Sequence, residues 1–168
     1  MKFKGTIQKL GDSVDTDGMI AGRYLSILDP KELAKHIFEE TIPDFTRRVK
    51  PGDVIVAGKN FGCGSGREQA PFALKALGIS CIVATSFSRT FYRMAIDLGL
   101  PILESAEVAA AALQGQTIEG DTATGEVKID GKTFRVEPMP QFIQEIIDMG
   151  GIVDWVKKEV AARAKAAA

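Results

Sequence analysis

Residues 60 to 71 read Asn-Phe-Gly-Cys-Gly-Ser-Gly-Arg-Glu-Gln-Ala-Pro. Gly62, Gly64 and Gly66 alternate with Cys63 and Ser65, and Arg67 follows at once. Glycine lets a backbone turn tightly and come close to a ligand. A guanidinium offers a planar fork that matches a carboxylate or a phosphate. A hydroxyl can give or take a proton. The stretch runs into a helix, whose N-terminus presents free N–H groups and a partial positive charge. Such a set of groups makes an anion site with a hydroxyl inside it; the plainer reading is a tight turn into a helix. Three familiar glycine motifs are excluded. GxGxxG needs glycine at Arg67 or at Gln69, Walker A needs a Gly-Lys-Ser/Thr that is missing, and GxSxG needs glycine at Cys63 and Arg67.

The elements around this stretch must hold it in place. Phe3, Gly5 and Ile7 alternate with Lys4, Thr6 and Gln8, the pattern of a half-buried strand. Gly11 to Gly18 is polar and turn-rich. Pro30 to Glu40 has helical spacing, with Asp29 as N-cap. A turn at Pro51-Gly52-Asp53 leads into a buried strand at Val54–Ala57. After the glycines come a helix ending at Gly78, a strand at Ile82–Ala84, a helix from Thr90 to Leu98 closed by Gly99, and a strand at Ile102-Leu103. The centre of the chain is thus an α/β unit, βαβαβ, with a parallel sheet and right-handed crossovers. In such sheets ligands bind beyond the carboxyl ends of the strands, which is where Ser65 and Arg67 fall. Further on, Ala106 to Leu113 reads as a short helix. Val127 to Val136 alternates around Asp130-Gly131, a type I′ hairpin signal. Two helices separated by Gly150-Gly151 end the chain, and the tail from about residue 160 is expected to fray.

A chain of 168 residues fits one domain, here residues 1–168, and can bury a core without staples. A net charge of −1 gives no electrostatic case for nucleic acid or an anionic membrane. The N-terminus has no signal-peptide apolar stretch, and no apolar run is long enough to span a bilayer. Cys63 and Cys81 form no CxxC, which argues against a disulfide framework or zinc knuckle and suits a reducing cytoplasm. His36, the single histidine, is placed on a solvated helix face beside Lys35 and Glu39.

Three segments together carry a family resemblance: DTDGMIAGRYL at Asp15–Leu25, NFGCGSGREQAP, and SFSRTFYRMAIDLGLPILE at Ser86–Glu104. In this order they resemble the small subunit of the aconitase-like hydro-lyases, in the short form shared by 3-isopropylmalate dehydratase and homoaconitase small subunits. The resemblance runs from about Gly5 to Trp155. It implies a swivelling β/β/α domain that closes over the active site of a large subunit. That partner would hold a [4Fe–4S] cluster, and the substrate would be a small hydroxy-diacid. Two scattered cysteines agree with a cluster held elsewhere, since a cluster normally takes three or four thiolates, and no metal is expected in this chain.

By position, the resemblance assigns Ser65 as the base that removes a proton alpha to a carboxylate, and Arg67 as the arginine that grips a substrate carboxylate. Gly64 and Gly66 line the same turn; members of the family usually have a second serine where Gly66 stands. Flanking N–H groups are expected to stabilise the serine anion. Asp15 and Asp17 match an acidic active-site loop, with an Asx-type turn as the alternative. Arg23, Tyr24, Leu25, Ser26 and Ile27 match the loop that contacts the variable substituent. Homoaconitase-like members carry arginine where this chain has Ser26, so an extra carboxylate would lack its partner here. The implied reaction is isomerisation of 2- and 3-isopropylmalate, a step of leucine biosynthesis. The alternatives are a dimethylmalate- or citraconate-type hydro-lyase, homoaconitase, or a non-catalytic anion-binding module.

Overall fold

A computed structural model describes residues 1–166. The strands are β1 (Lys2–Lys9), β2 (Val54–Ala57), β3 (Cys81–Ala84), β4 (Ile102–Glu104), β5 (Thr117–Asp121), β6 (Glu126–Ile129) and β7 (Lys132–Arg135). The helices are α1 (Thr16–Met19), α2 (Pro30–Ala34), α3 (Phe45–Arg48), α4 (Gln69–Leu77), α5 (Arg89–Asp97), α6 (Ala106–Ala111), α7 (Gln141–Asp148) and α8 (Ile152–Ala166), with a 3₁₀ turn at Gly22–Tyr24. One mixed sheet runs in the order β4-β3-β2-β1-β5-β6-β7. Strands β1 to β4 pair in parallel, and β1, β5, β6 and β7 pair antiparallel.

The sheet is covered on both faces, and β2 shows how. Ile55 and Ala57 join a core with Leu33, Phe45, Phe61, Leu74 and Phe91, while Val54 and Val56 join Phe3, Cys81, Val108, Ile118 and Val127. Alternate residues of one strand thus serve two cores, so the central strands read as unbroken apolar runs. The βαβαβ unit is as expected, and so is the hairpin, where Asp130 and Gly131 both take positive φ, 45° and 86°. Ser88 caps α5 by accepting the Phe91 N–H, and Gly78 ends α4 at φ 94°. Pro71 sits in the first turn of α4, where its missing N–H costs little.

The structure departs from the sequence reading in several places, including the unforeseen short helix α3. Strand β5 was not foreseen: TIEGD shows no clear alternation and is held by its pairing with β1. The expected helix from Pro30 to Glu40 is regular only to Ala34; the chain then turns so that Phe38, at φ 57°, donates its N–H to Met19 O at 2.7 Å. The polar loop before Gly18 contains the short α1, capped by Asp15. The tail expected to fray from about residue 160 stays helical through Ala166, as its Ala, Lys and Arg content favours. Ala167 and Ala168 lie outside the described residues.

Candidate active site

The turn after β2 is fixed by three left-handed glycines, Gly62 at φ 77°, Gly64 at 86° and Gly66 at 73°. Two of them also need their missing side chain. A Cβ on Gly62 would overlap the Phe91 ring, and one on Gly64 would overlap the Asp17 carboxylate. Ser88 Oγ donates to Gly62 O at 2.6 Å, which ties the turn to the start of α5.

From the other side, α1 is laid against the turn. Thr16, wholly buried, donates its hydroxyl to Cys63 O at 3.1 Å and accepts the N–H groups of Gly66 at 3.1 Å and Arg67 at 3.2 Å. Asp17 accepts the Ser65 N–H at 2.9 Å and the Ser65 hydroxyl at 2.7 Å. The Arg67 Nη2 lies 2.7 Å from Asp17 Oδ1, and Nη1 donates to the backbone carbonyls of Asp17 and Ile20. The Ser65 N–H and hydroxyl, then Arg67, hold the Asp17 carboxyl below its usual range.

This geometry corrects one expectation. The N–H groups of Ser65, Gly66 and Arg67 are not free to stabilise an anion, because Asp17 and Thr16 take them up. What gathers on a carboxylate is the Ser65 hydroxyl and the Arg67 guanidinium, and here the carboxylate belongs to Asp17. The two readings of the acidic loop also separate. Asp15 makes the turn, accepting Gly18 N–H at 2.6 Å, and Asp17 touches Ser65 and Arg67.

The loop Arg23–Ile27 lies beside this turn. A Cβ on Gly22 would stand 3.9 Å from Arg67 Nη2, and Gln69 Nε2, at the start of α4, donates to Leu25 O at 3.2 Å. Leu25 and Ile27 line an open cleft of about 260 Å³ with Leu28, Glu68, Gln69, Phe72 and Leu98. Ser26 is exposed. Arg23 pairs with Glu40 and lies over the Tyr24 ring, 4.6 Å from its centroid. The Tyr24 ring stacks on His36 at 3.8 Å, and His36 Nδ1 lies 2.8 Å from Glu39 Oε2. His36 therefore sits in the turn beyond α2 rather than on a solvated helix face. The Tyr24 hydroxyl and then His36 hold the Glu39 carboxyl below its usual range.

Thr16 and Gln69 were not singled out from sequence. Thr16 lies about fifty residues before the turn, so no local pattern signals it, and nothing local signals Gln69. The two thiols do not fit an iron–sulfur cluster. Cys81 is fully buried and its thiol is pushed far up by burial, and burial also raises that of Cys63. Among the described residues, no three His, Cys, Asp or Glu side chains are grouped to hold a metal ion. Nor, among them, is any helix long and apolar enough to cross a membrane.

Comparison with known proteins shows the family of the chain. The Aconitase C-terminal domain family matches residues 28–107. The 3-isopropylmalate dehydratase small subunit of Thermodesulfovibrio yellowstonii is 47% identical over 163 residues, covering 96% of this chain and 97% of that protein. The chain belongs to the 3-isopropylmalate dehydratase small-subunit family, a family of hydro-lyases. Another relative, from Methanocaldococcus jannaschii, is named isopropylmalate/citramalate isomerase small subunit; it is 45% identical over 95% of this chain and 96% of its own. The crystal structure of a 3-isopropylmalate dehydratase from M. jannaschii superposes with a TM-score of 0.92 at 42% identity, covering 98% of this chain and 99% of that one. The β/β/α swivel fold that the resemblance implied is consistent with this close structural match.

Proposed function

We propose that this chain supplies the proton-removing base and a carboxylate grip to a two-subunit dehydratase that interconverts 2-isopropylmalate and 3-isopropylmalate in leucine biosynthesis. The observation that carries the reading is the convergence of the Ser65 hydroxyl and the Arg67 guanidinium on one carboxylate, each at 2.7 Å. A plain turn needs neither group.

In this reading the substrate's carboxylate takes the place of Asp17 on Arg67. Asp17 then loses its cationic partner, its proton affinity rises, and it can accept the Ser65 proton along the hydrogen bond already present. Ser65, so ionised, removes the proton alpha to the gripped carboxylate; the hydroxyl on the adjacent carbon leaves and takes up the proton held by Asp17 to become water, which returns Ser65 and Asp17 to their starting charges. Re-addition of water in the opposite sense completes the isomerisation. The cluster-bearing large subunit would supply the Lewis acid that binds the departing hydroxyl. Residues 1–168 act as one swivelling domain that closes over that partner, in the cytoplasm.

The variable substituent faces Leu25, Ser26 and Ile27. Ser26 offers no charge to an extra carboxylate, whereas an isopropyl group finds Leu25, Ile27, Leu28 and Phe72 in a cleft whose charged lining residue, Glu68, is an anion. A methyl group fits the same cleft, so a citramalate-type substrate is the second reading, in line with the double name of the M. jannaschii relative.

The test is co-expression with the large subunit of the same genome, anaerobic purification, and assay against alkyl-substituted and carboxylate-bearing malates. We expect a stable complex that turns over isopropylmalate. Failure to form a complex, or a preference for the tricarboxylic substrate, overturns the assignment.

A further inference from the structure

We propose that Glu40 is a specificity-determining positioning residue: by restraining Arg23 it keeps a positive charge out of the pocket for the substrate's variable substituent. The proposal rests on the reaction assigned above and concerns which acids that reaction accepts.

Arg23 stands next to the site in the chain. Its neighbour Gly22 approaches Arg67 so closely that an added Cβ would lie 3.9 Å from the Arg67 guanidinium. Arg23 also begins the segment that runs on through Leu25 and Ile27 into the apolar cleft. An arginine is long and flexible at this point, and its fork is the group a substrate carboxylate seeks. Left to itself, Arg23 would make the substituent pocket hospitable to a third carboxylate, even though Ser26 carries no charge.

The structure shows what prevents this. Arg23 Nη1 is bonded to Glu40, and the guanidinium lies over the face of Tyr24. Tyr24 is itself held, stacked on His36 with the two rings 15° from parallel. His36 is bonded in turn to Glu39. The adjacent residues Glu39 and Glu40 thus divide the work: one anchors the ring stack and the other anchors the arginine. Glu39 is engaged by His36, and the carboxylate bonded to Arg23 is that of Glu40.

The Arg23 and Glu40 side chains are 55% and 53% exposed, and exposed ion pairs are weak. The restraint is therefore a bias, and releasing it gives a shift of about 1.5- to fivefold, the range that a pair of this strength allows. The predicted change has a direction that loss of a surface salt bridge does not have: it favours one class of substrate over the other.

The experiment uses the enzyme assembled with its large subunit. Two acids are compared, 3-isopropylmalate and the analogue in which a carboxyethyl arm replaces the isopropyl group. We expect Glu40→Gln to raise the kcat/KM ratio of the carboxyethyl acid to isopropylmalate by about 1.5- to fivefold, chiefly through KM. Glu40→Asp restores part of the original ratio. The double variant Glu40→Gln with Arg23→Gln shows no gain. Equal effects on both acids, no shift, or the same shift in the double variant overturns the proposal. Calorimetric dissociation constants for both acids, measured on the same four proteins, separate the two layers of the argument. If isopropylmalate is not turned over, the assigned reaction falls. The binding ratio still decides whether Glu40 restrains Arg23.

Discussion

The turn bearing Ser65 and Arg67 and the loop from Arg23 to Ile27 are neighbours, yet they are held by different kinds of interaction. The turn is held through its backbone. Three left-handed glycines set its path, buried Thr16 takes the N–H groups of Gly66 and Arg67, and Asp17 takes that of Ser65. Moving these N–H groups away would leave the buried Thr16 hydroxyl without its donors, which makes the turn costly to rearrange. The loop is held mostly through side chains near the surface: the Arg23–Glu40 pair, the Tyr24–His36 stack, and one bond from Gln69 to Leu25 O. The part proposed to do the chemistry is therefore rigid. The part proposed to choose the substrate can be retuned by a single side chain.

The largest effect is expected from Ser65→Ala. The backbone N–H of residue 65 still reaches Asp17, so the turn keeps its shape and the chain still binds its large subunit. Turnover should fall by about 10²–10⁴, the usual contribution of a positioned base, with assembly unchanged by size-exclusion chromatography. Near-normal turnover removes the base assignment. The rigid turn would then be structural only, and its difference from the loop would carry no division between chemistry and substrate choice.

Next comes Ser26→Arg, which puts a charge on the pliable loop without touching the turn. A buried carboxylate without a partner costs several kcal/mol, while burying the three carbons of an isopropyl group contributes roughly 2 kcal/mol. The added guanidinium should move relative kcat/KM toward the carboxylate-bearing malate by about 10- to 10³-fold, in keeping with the charge-pair energies involved. If the unmutated enzyme already prefers that acid, Arg23 rather than Ser26 sets the charge of the pocket, and the Glu40 restraint fails with it.

These two regions also differed in how far the sequence revealed them. Alternating glycines around Ser65, followed by Arg67 and a helix, were enough to locate the turn, because its requirements are local. Of its stabilising partners, Asp17 was reached through the family resemblance and Thr16 was not legible. Both lie about fifty residues earlier, and the parallel pairing of β1 with β2, continued by the bridge between Asp15 and Cys63, brings them to the turn. The loop was found through family resemblance alone, and nothing in its composition foretold that Arg23 would face Glu40. The same division holds in the fold. Strands β2 and β3 and helices α4 and α5 could be read from apolar runs and end signals. Strand β5 could not, since its polar residues and Gly120 follow no period and its place is set by β1. Phe38 illustrates tertiary override: its bond to Met19 O outweighs the helical spacing around it.

Gly66 offers a smaller test of the rigid turn. With φ at 73°, a side chain there is strained, and its Cβ would lie 2.9 Å from Thr90 Cγ2. Thr90 is exposed and can rotate away, so most of the cost is conformational, about 1–2 kcal/mol. Gly66→Ser should lower Tm by about 2–8 °C in a chain of this size. Adding Thr90→Ala should recover the steric share. An unchanged Tm in Gly66→Ser would show that the turn is looser than its hydrogen bonds imply.

The smallest effect concerns protonation of Asp17, which joins both halves of the site. Its carboxyl is held below the ordinary range by the Ser65 N–H and hydroxyl and by Arg67. A depressed carboxyl contributes its stabilisation above its ordinary value, about pH 3.9, and loses it as pH falls through the lower folded value. The turn should thus stay closed at neutral and mildly acidic pH and open only below about pH 3.9. The contribution is modest because the Asp17 side chain is 39% exposed and water screens the pair. The Ser65 amide resonance, followed by NMR from pH 7 downward, should titrate with a midpoint below that of a free aspartate. Asp17→Asn should abolish the step. A midpoint at or above the ordinary value would mean that Ser65 and Arg67 do not hold Asp17 in solution. The carboxylate-for-carboxylate exchange proposed for substrate binding would then lose its starting state.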